Sequence, residues 1–203
     1  MEKKQKIDTA YMVEMALLIA VIFIMAFTPI GYIRTLGLEI TLIVVPVAVG
    51  AITLGPTAGI VLGVVFGITS FIQCFGMSPF GAALLGINPI YTFIVCVIPR
   101  AIVGWLTGVL YQGVVKCNPI KKIAAALANL CCPLMNTIFF MGTLVLFFYQ
   151  TEYIQGIASQ LGAGNFLIFI LLFVGVNGLV EAAACFVIGT AISQTLKKVL
   201  SNR

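Results

Sequence analysis

The chain has 203 residues, 62% of them hydrophobic and only 8% charged, with a mean hydropathy of +1.19, and a soluble domain with that balance could not cover its surface with polar groups. Its apolar segments far exceed the short alternating strands of an outer-membrane barrel, so helices must satisfy the backbone in the lipid bilayer. The chain reads as an all-α integral membrane protein forming a single domain, residues 1–203. The formal charge of +5 invites a nucleic-acid partner, but the basic residues fall in three short clusters that topology explains better.

Residues 1–9 are polar and carry Lys3, Lys4 and Lys6, and a helix is expected over 10–28, ended by Pro29-Ile30-Gly31. A basic start before an apolar run resembles a signal peptide, but no small-residue cleavage site follows, so the segment is read as the first transmembrane helix. A connection over 30–40 carries Arg34 and Glu39. Residues 41–71 then run without a charge, too long for one ordinary crossing. Gly55-Pro56 falls near the middle, so a tight helical hairpin is expected, 41–54 going in and 57–73 coming out. Gly59, Gly63 and Gly67 recur every four residues and give the second limb a smooth stripe for close helix packing. Pro46 leaves a carbonyl without its usual amide, which fits a kink beside a cavity and equally a bend against neighbours.

Residues 74–89 are rich in glycine and proline yet carry Phe80, Leu84 and Leu85. So apolar a loop is expected to fold over the helix ends as a lid or re-entrant plug. A fourth helix is expected over 90–115, containing Pro99 and Arg100, followed by the basic loop KCNPIKK, 116–122. A fifth, over 123–148, includes the breaker-like CCPLMN, 131–136. After a connection over 151–165, a sixth runs over 166–195 and KKVLSNR ends the chain. Nine of the eleven lysines and arginines lie at the N-terminus, in the 116–122 loop and at the C-terminus, all on one side of a six-helix model. Both termini of this compact bundle of six transmembrane helices are therefore expected to be cytoplasmic.

Arg100 is the sharpest single signal, because a guanidinium inside a transmembrane helix must pair, snorkel or face a wet cavity. An anionic ligand would neutralise it; so would a helix carbonyl or an acid such as Glu39. Glu181 is the other charge at membrane depth, with Asn177 one turn before it on the same face. It could bind a proton or cation, bond a ligand, or anchor a neighbouring helix. Asn136 and Thr137 in the fifth helix and Asn88 at the start of the fourth add polar groups that could orient a small polar molecule or simply join helices. Ala16 and Ala20 form an AxxxA step on the first helix, suited to a partner helix or to packing within the chain.

Six cysteines and no histidine make no zinc set, and neither a metal nor another cofactor is expected. No nucleophile and base are assembled for catalysis. No GxxxxGK[ST] run is present, so ATP-driven work would need another subunit. Two other readings remain open, an autonomous carrier using Glu181 for ion coupling and a purely structural membrane protein.

The six hydrophobic segments, MALLIA over 15–20, and VPVAVGAITLGPTAGIVLGVVFGITSF over 45–71 together resemble the substrate-binding S component of an energy-coupling factor (ECF) vitamin transporter. NPIYTFIVCVIPRAIVGWLTGVLY over 88–111 and MNTIFF over 135–140 are similar to the pantothenate-type branch. The resemblance covers nearly the whole chain. It implies capture of a vitamin from outside, in the cell membrane of a bacterium, with no catalysis by this chain. It also implies assembly with a transmembrane coupling subunit (EcfT) and two cytoplasmic ATPase subunits, with Ala16 and Ala20 matching the alanine motif that contacts EcfT. The S component is expected to topple so that its pocket reaches the cytoplasm, while the loops over 30–40 and 74–89 cover or release the ligand. Pantothenate is the leading ligand, its carboxylate on Arg100 and its amide or hydroxyl groups on Asn136, Asn177 and, nearer the mouth, Asn88. Riboflavin or another vitamin is the alternative, since Tyr91, Phe93, Trp105 and Phe139 could stack on a flavin.

Overall fold

Lipid offers the backbone no hydrogen-bond partner, and nearly every long apolar run of this chain is helical. The computed structural model describes residues 9–28, 31–33, 40–117 and 123–201, apart from the side chains of Tyr32, Ile33, Ile40, Val176, Asn177, Lys197, Val199, Leu200 and Ser201. Arg34, Glu39, Lys3, Lys4, Lys6, Arg203 and most of the 116–122 loop lie outside the described residues, as does the Pro29-Ile30 stop.

The first helix, α1 (Thr9–Phe27), leads to a two-stranded antiparallel ribbon, β1 (Tyr32–Ile33) and β2 (Ile40–Thr41), with Tyr32 opposite Thr41. Then come α2 (Val44–Thr53) and α3 (Pro56–Gln73), the two limbs of the expected hairpin. Gly55 turns between them at φ 100, a left-handed conformation that favours glycine. The first limb is shorter than its apolar run suggested. At ten residues α2 is about 15 Å long, half of a bilayer's hydrocarbon thickness. Every residue from Val44 to Ile52 is buried, because α1, α3, α5, α6 and the last helix surround it. Pro46 is the third residue of α2, where its missing amide would have had no helical acceptor, so no bond is lost.

Within the expected loop over 74–89 lies a short helix, α4 (Pro79–Ile87), opened by Ser78 as cap and Pro79 at its first position. A long helix follows, α5 (Pro89–Lys116), then α6 (Ala124–Phe148), unbroken across CCPLMN. The connection over 151–165 contains α7 (Glu152–Gln160), capped by the Thr151 hydroxyl. The last helical run is continuous: α8 (Phe166–Ala184), a π turn (Cys185–Gly189) and α9 (Thr190–Ser201). Asn129 of α6 lies against Gly189 in that turn, where any Cβ would collide with its side-chain amide.

Among the described residues, five helices are long and apolar enough to cross a membrane: Thr9–Phe27, Pro56–Gln73, Pro89–Lys116, Ala124–Phe148 and Gly178–Leu196. Val44–Thr53 and Phe166–Gly175 are shorter apolar helices.

The glycine stripe finds its partner in α5. Running antiparallel, Gly59 meets Gly104, Gly63 meets Arg100 and Ala101, Gly67 meets Cys96 and Val97, and Pro56 meets Gly108, backbone against backbone. Two cores result. One surrounds α2 with Ile22, Leu62, Phe66, Val103 and Cys132. The other gathers Leu84, Val95, Met141, Phe148, Ile154 and Phe169 beneath α4 and α7.

Candidate functional site

Proline has no amide hydrogen, so Pro99 inside α5 leaves the Val95 carbonyl, four residues earlier, without its helical donor. The next residue makes good the loss: Arg100 Nη1 donates to Val95 O at 2.7 Å. The guanidinium carbon stands 4.4 Å from the Phe140 ring centre and 5.3 Å from that of Phe66. Two aromatic faces thus take the place of water around the charge. Arg100 is 8% exposed and joins the two cores, since Phe66 belongs to one and Val95 to the other.

The α3 stripe sets this position. A side chain at Gly63 would strike the Arg100 carbonyl, so glycine there lets α5 come close enough to bring Arg100 against Phe66. Nε of Arg100 is buried and has no hydrogen-bond partner. Nε belongs to the edge of the guanidinium that grips a carboxylate with two parallel bonds, and that edge retains an unmet donor. A buried donor without an acceptor is costly, and a ligand anion would remove the cost.

Glu181 is also buried. Its Oε1 accepts from the Thr41 amide at 2.6 Å and the Thr41 hydroxyl at 2.7 Å. Of the three roles open to it, anchoring is the one its contacts fill: the acid ties the β-ribbon to α8.

Asn136 is buried on α6, one turn before Phe140 on the same face, which directs it toward the side of α6 that meets Arg100. Thr137 faces α8 at Gly178, its hydroxyl 3.5 Å from where a Cβ would stand. Asn177 is the preceding residue, and its side chain lies outside the described residues. Asn88 is placed differently. Its Oδ1 accepts from the amides of Ile90 and Tyr91, both at 3.1 Å, capping α5 twelve residues, or about 18 Å, along the helix from Arg100.

Ala16 and Ala20 are both exposed on α1, on a face shared with Val13, Leu17 and Ile24. Among the described residues, nothing buries either of them. Tyr91, Phe93 and Trp105 are exposed as well, although Tyr91 stacks on Phe147 with ring centres 4.8 Å apart, while Phe139 packs against the core around α2.

Above the arginine, α4 and α7 close one end of the bundle. Phe80 of α4 sits between Tyr153 of α7, at 6.2 Å, and Phe173 of α8, at 5.6 Å. Gln73 donates to the Ala26 carbonyl and so caps the end of α1 at the same level.

Sequence reasoning did not find Phe66, Phe140 or Thr41 as partners of the two charges. Pro99 carried a readable signal for the Val95 carbonyl, since a helix proline names the acceptor it deprives. The aromatic partners carried none, because α3 and α6 must be correctly rotated before either ring meets α5.

Among the described residues, no group of three or more histidine, cysteine, aspartate or glutamate side chains could hold a metal ion. No curated protein sequence matches the chain. A family model described as the substrate-specific component of ECF transporters matches residues 10–193. With a multi-pass helical bundle, two charges buried within it and a match over most of its length, the chain belongs to the family of ECF transporter substrate-specific components.

Proposed function

We propose that this S component captures pantothenate from outside the cell, binds its carboxylate on Arg100, and delivers it to the cytoplasm with EcfT and two ATPase subunits. The observation that carries the reading is the unmet Nε donor of a buried arginine whose Nη1 is already engaged. Such an arginine is suited to a planar anion and poorly suited to a neutral ring. Asn136, with Asn177 on the facing helix, supplies the amide groups for the ligand's own amide and hydroxyls. Glu181 acts on the site through Thr41 and the ribbon, and Asn88 through the start of α5.

In this reading both termini are cytoplasmic, the α4 and α7 end faces outward, and α4 is the lid. The loop over 30–40 is the second cover. Toppling of the loaded bundle against EcfT presents the pocket to the cytoplasm. The exposed positions of Tyr91, Phe93 and Trp105 argue against a stacked flavin.

The test is equilibrium binding of pantothenate, riboflavin, pyridoxine, biotin, folate and thiamine to the purified protein. Pantothenate is expected to bind most tightly, and Arg100→Ala to weaken it by about 10–100-fold, the worth of a charged hydrogen bond. A neutral vitamin that binds more tightly, and is weakened equally by the substitution, would sink the carboxylate reading.

A further inference from the structure

Arg100 keeps company that the carboxylate reading does not use. Among the described residues its guanidinium meets one carbonyl oxygen and two ring faces, and no carboxylate pairs with it. Glu181, the other buried charge, gives its Oε1 to Thr41 instead. A full positive charge in an apolar interior still has to be balanced.

The two rings come from different helices and converge on the same group. Phe66 stands three residues beyond Gly63 on α3, and Phe140 lies on α6. Their centres are 5.3 Å and 4.4 Å from the guanidinium carbon, within the range of about 6 Å over which a cation is drawn to the negative face of an aromatic ring. Both rings are held in place, Phe66 inside the core around α2 and Phe140 packed against the second core. Three residues beyond each ring a threonine turns back to its own helix: the Thr69 hydroxyl donates to the Phe66 carbonyl at 2.8 Å, and that of Thr143 to the Phe140 carbonyl at 2.9 Å. The negative groups turned to the arginine are thus the Val95 carbonyl and the two ring faces.

Such an arrangement acts on binding and on release. Negative potential already present at the guanidinium weakens its pull on an incoming carboxylate, and the same potential keeps the charge tolerable once the carboxylate has left. We propose that Phe66 and Phe140 set the affinity of the anion site, their ring faces serving as the counter-charge of Arg100 while no ligand is bound. The proposal rests on the carboxylate reading of Arg100 and adds to it the groups that let the vitamin go.

The experiment uses the full chain in lipid nanodiscs, with Phe140 replaced in turn by mono-, di- and trifluorinated phenylalanine. Fluorine leaves the ring nearly the same size while draining negative charge from its face, so packing is kept and only the electrostatics change. The thermal midpoint of the unliganded protein is expected to fall with each fluorine, relative to the same series in an Arg100→Gln background. Pantothenate is expected to bind about two- to tenfold more tightly to the trifluorinated protein. Pantothenyl alcohol, which carries a hydroxyl where pantothenate carries its carboxylate, should show no change. Midpoints that ignore the fluorine count, weaker pantothenate binding, or a tightening shared by the alcohol would each overturn the proposal. The midpoint series needs no vitamin. A wild-type chain that bound no pantothenate would therefore sink the function proposed above and leave the counter-charge to be decided by the midpoints alone.

Discussion

At the scale of single residues, Pro99 and Arg100 act as a unit. The proline removes a donor and Nη1 of the arginine replaces it, which leaves Nε without a protein partner and, in the function proposed above, available to a ligand carboxylate. This double role is separable by a mutant cycle. Arg100→Ala in the native background orphans the Val95 carbonyl and is expected to cost about 1–3 kcal/mol. In a Pro99→Ala background the helix amide returns, and the same substitution should cost less, measured by thermal or denaturant unfolding in detergent. Equal costs would show that the carbonyl contact adds nothing to stability. Pantothenate binding should fall in both backgrounds, since the ligand edge is lost either way. The arginine itself was legible in the sequence, as a charge where lipid tolerates none. Its two ring neighbours were not, because nothing in FGITSF or MNTIFF distinguishes a phenylalanine facing a guanidinium from one facing lipid.

The elements follow the same division. Helices α1, α3, α5 and α6 begin and end within a residue or two of the apolar runs and their Pro and Gly boundaries. The four-residue glycine spacing also gave the contact face of α3, although not the helix it would meet. Gly63→Val tests that face. Its side chain would strike Arg100 and Ala101, forcing α3 and α5 apart, with an expected loss of about 1–3 kcal/mol and weaker ligand binding. Gly142→Ala, with nothing within 4 Å of its Cβ position, should leave both unchanged. If both variants melt alike, close approach at Gly63 is not a constraint. Three features of the elements escaped the sequence. Residues 42–52 contain no polar residue to mark where helix gives way to ribbon, so α2 read longer than it is. Caps at Ser78 and Thr151 were present, but helices of nine residues are hard to separate from loops. The π turn over Cys185–Gly189 has no breaker residue except Gly189, which reads as ordinary in a membrane helix.

For the whole molecule, the family places this chain in a membrane complex with EcfT and ATPase subunits. The exposed alanine face of α1 offers a flat approach for a partner helix. Enlarging it through Ala16→Leu and Ala20→Leu is expected to abolish co-purification with EcfT and ATP-dependent uptake, while pantothenate binding to the isolated chain persists. Loss of binding together with assembly would instead mark α1 as part of the pocket. The buried position of α2 has one more consequence, in time. A ribosome makes α2 long before α5, α6 and the final helix that enclose it. At ordinary rates of synthesis, roughly ten seconds pass before the last of these emerges. Throughout that interval a helix too short to span the bilayer must wait in the membrane or the translocon with part of its cover missing, first with α1 and α3 and then with α5 and α6 beside it. A nascent chain halted before residue 166 leaves open the side of α2 that the final helix covers, and should be removed by membrane quality control sooner than the complete chain.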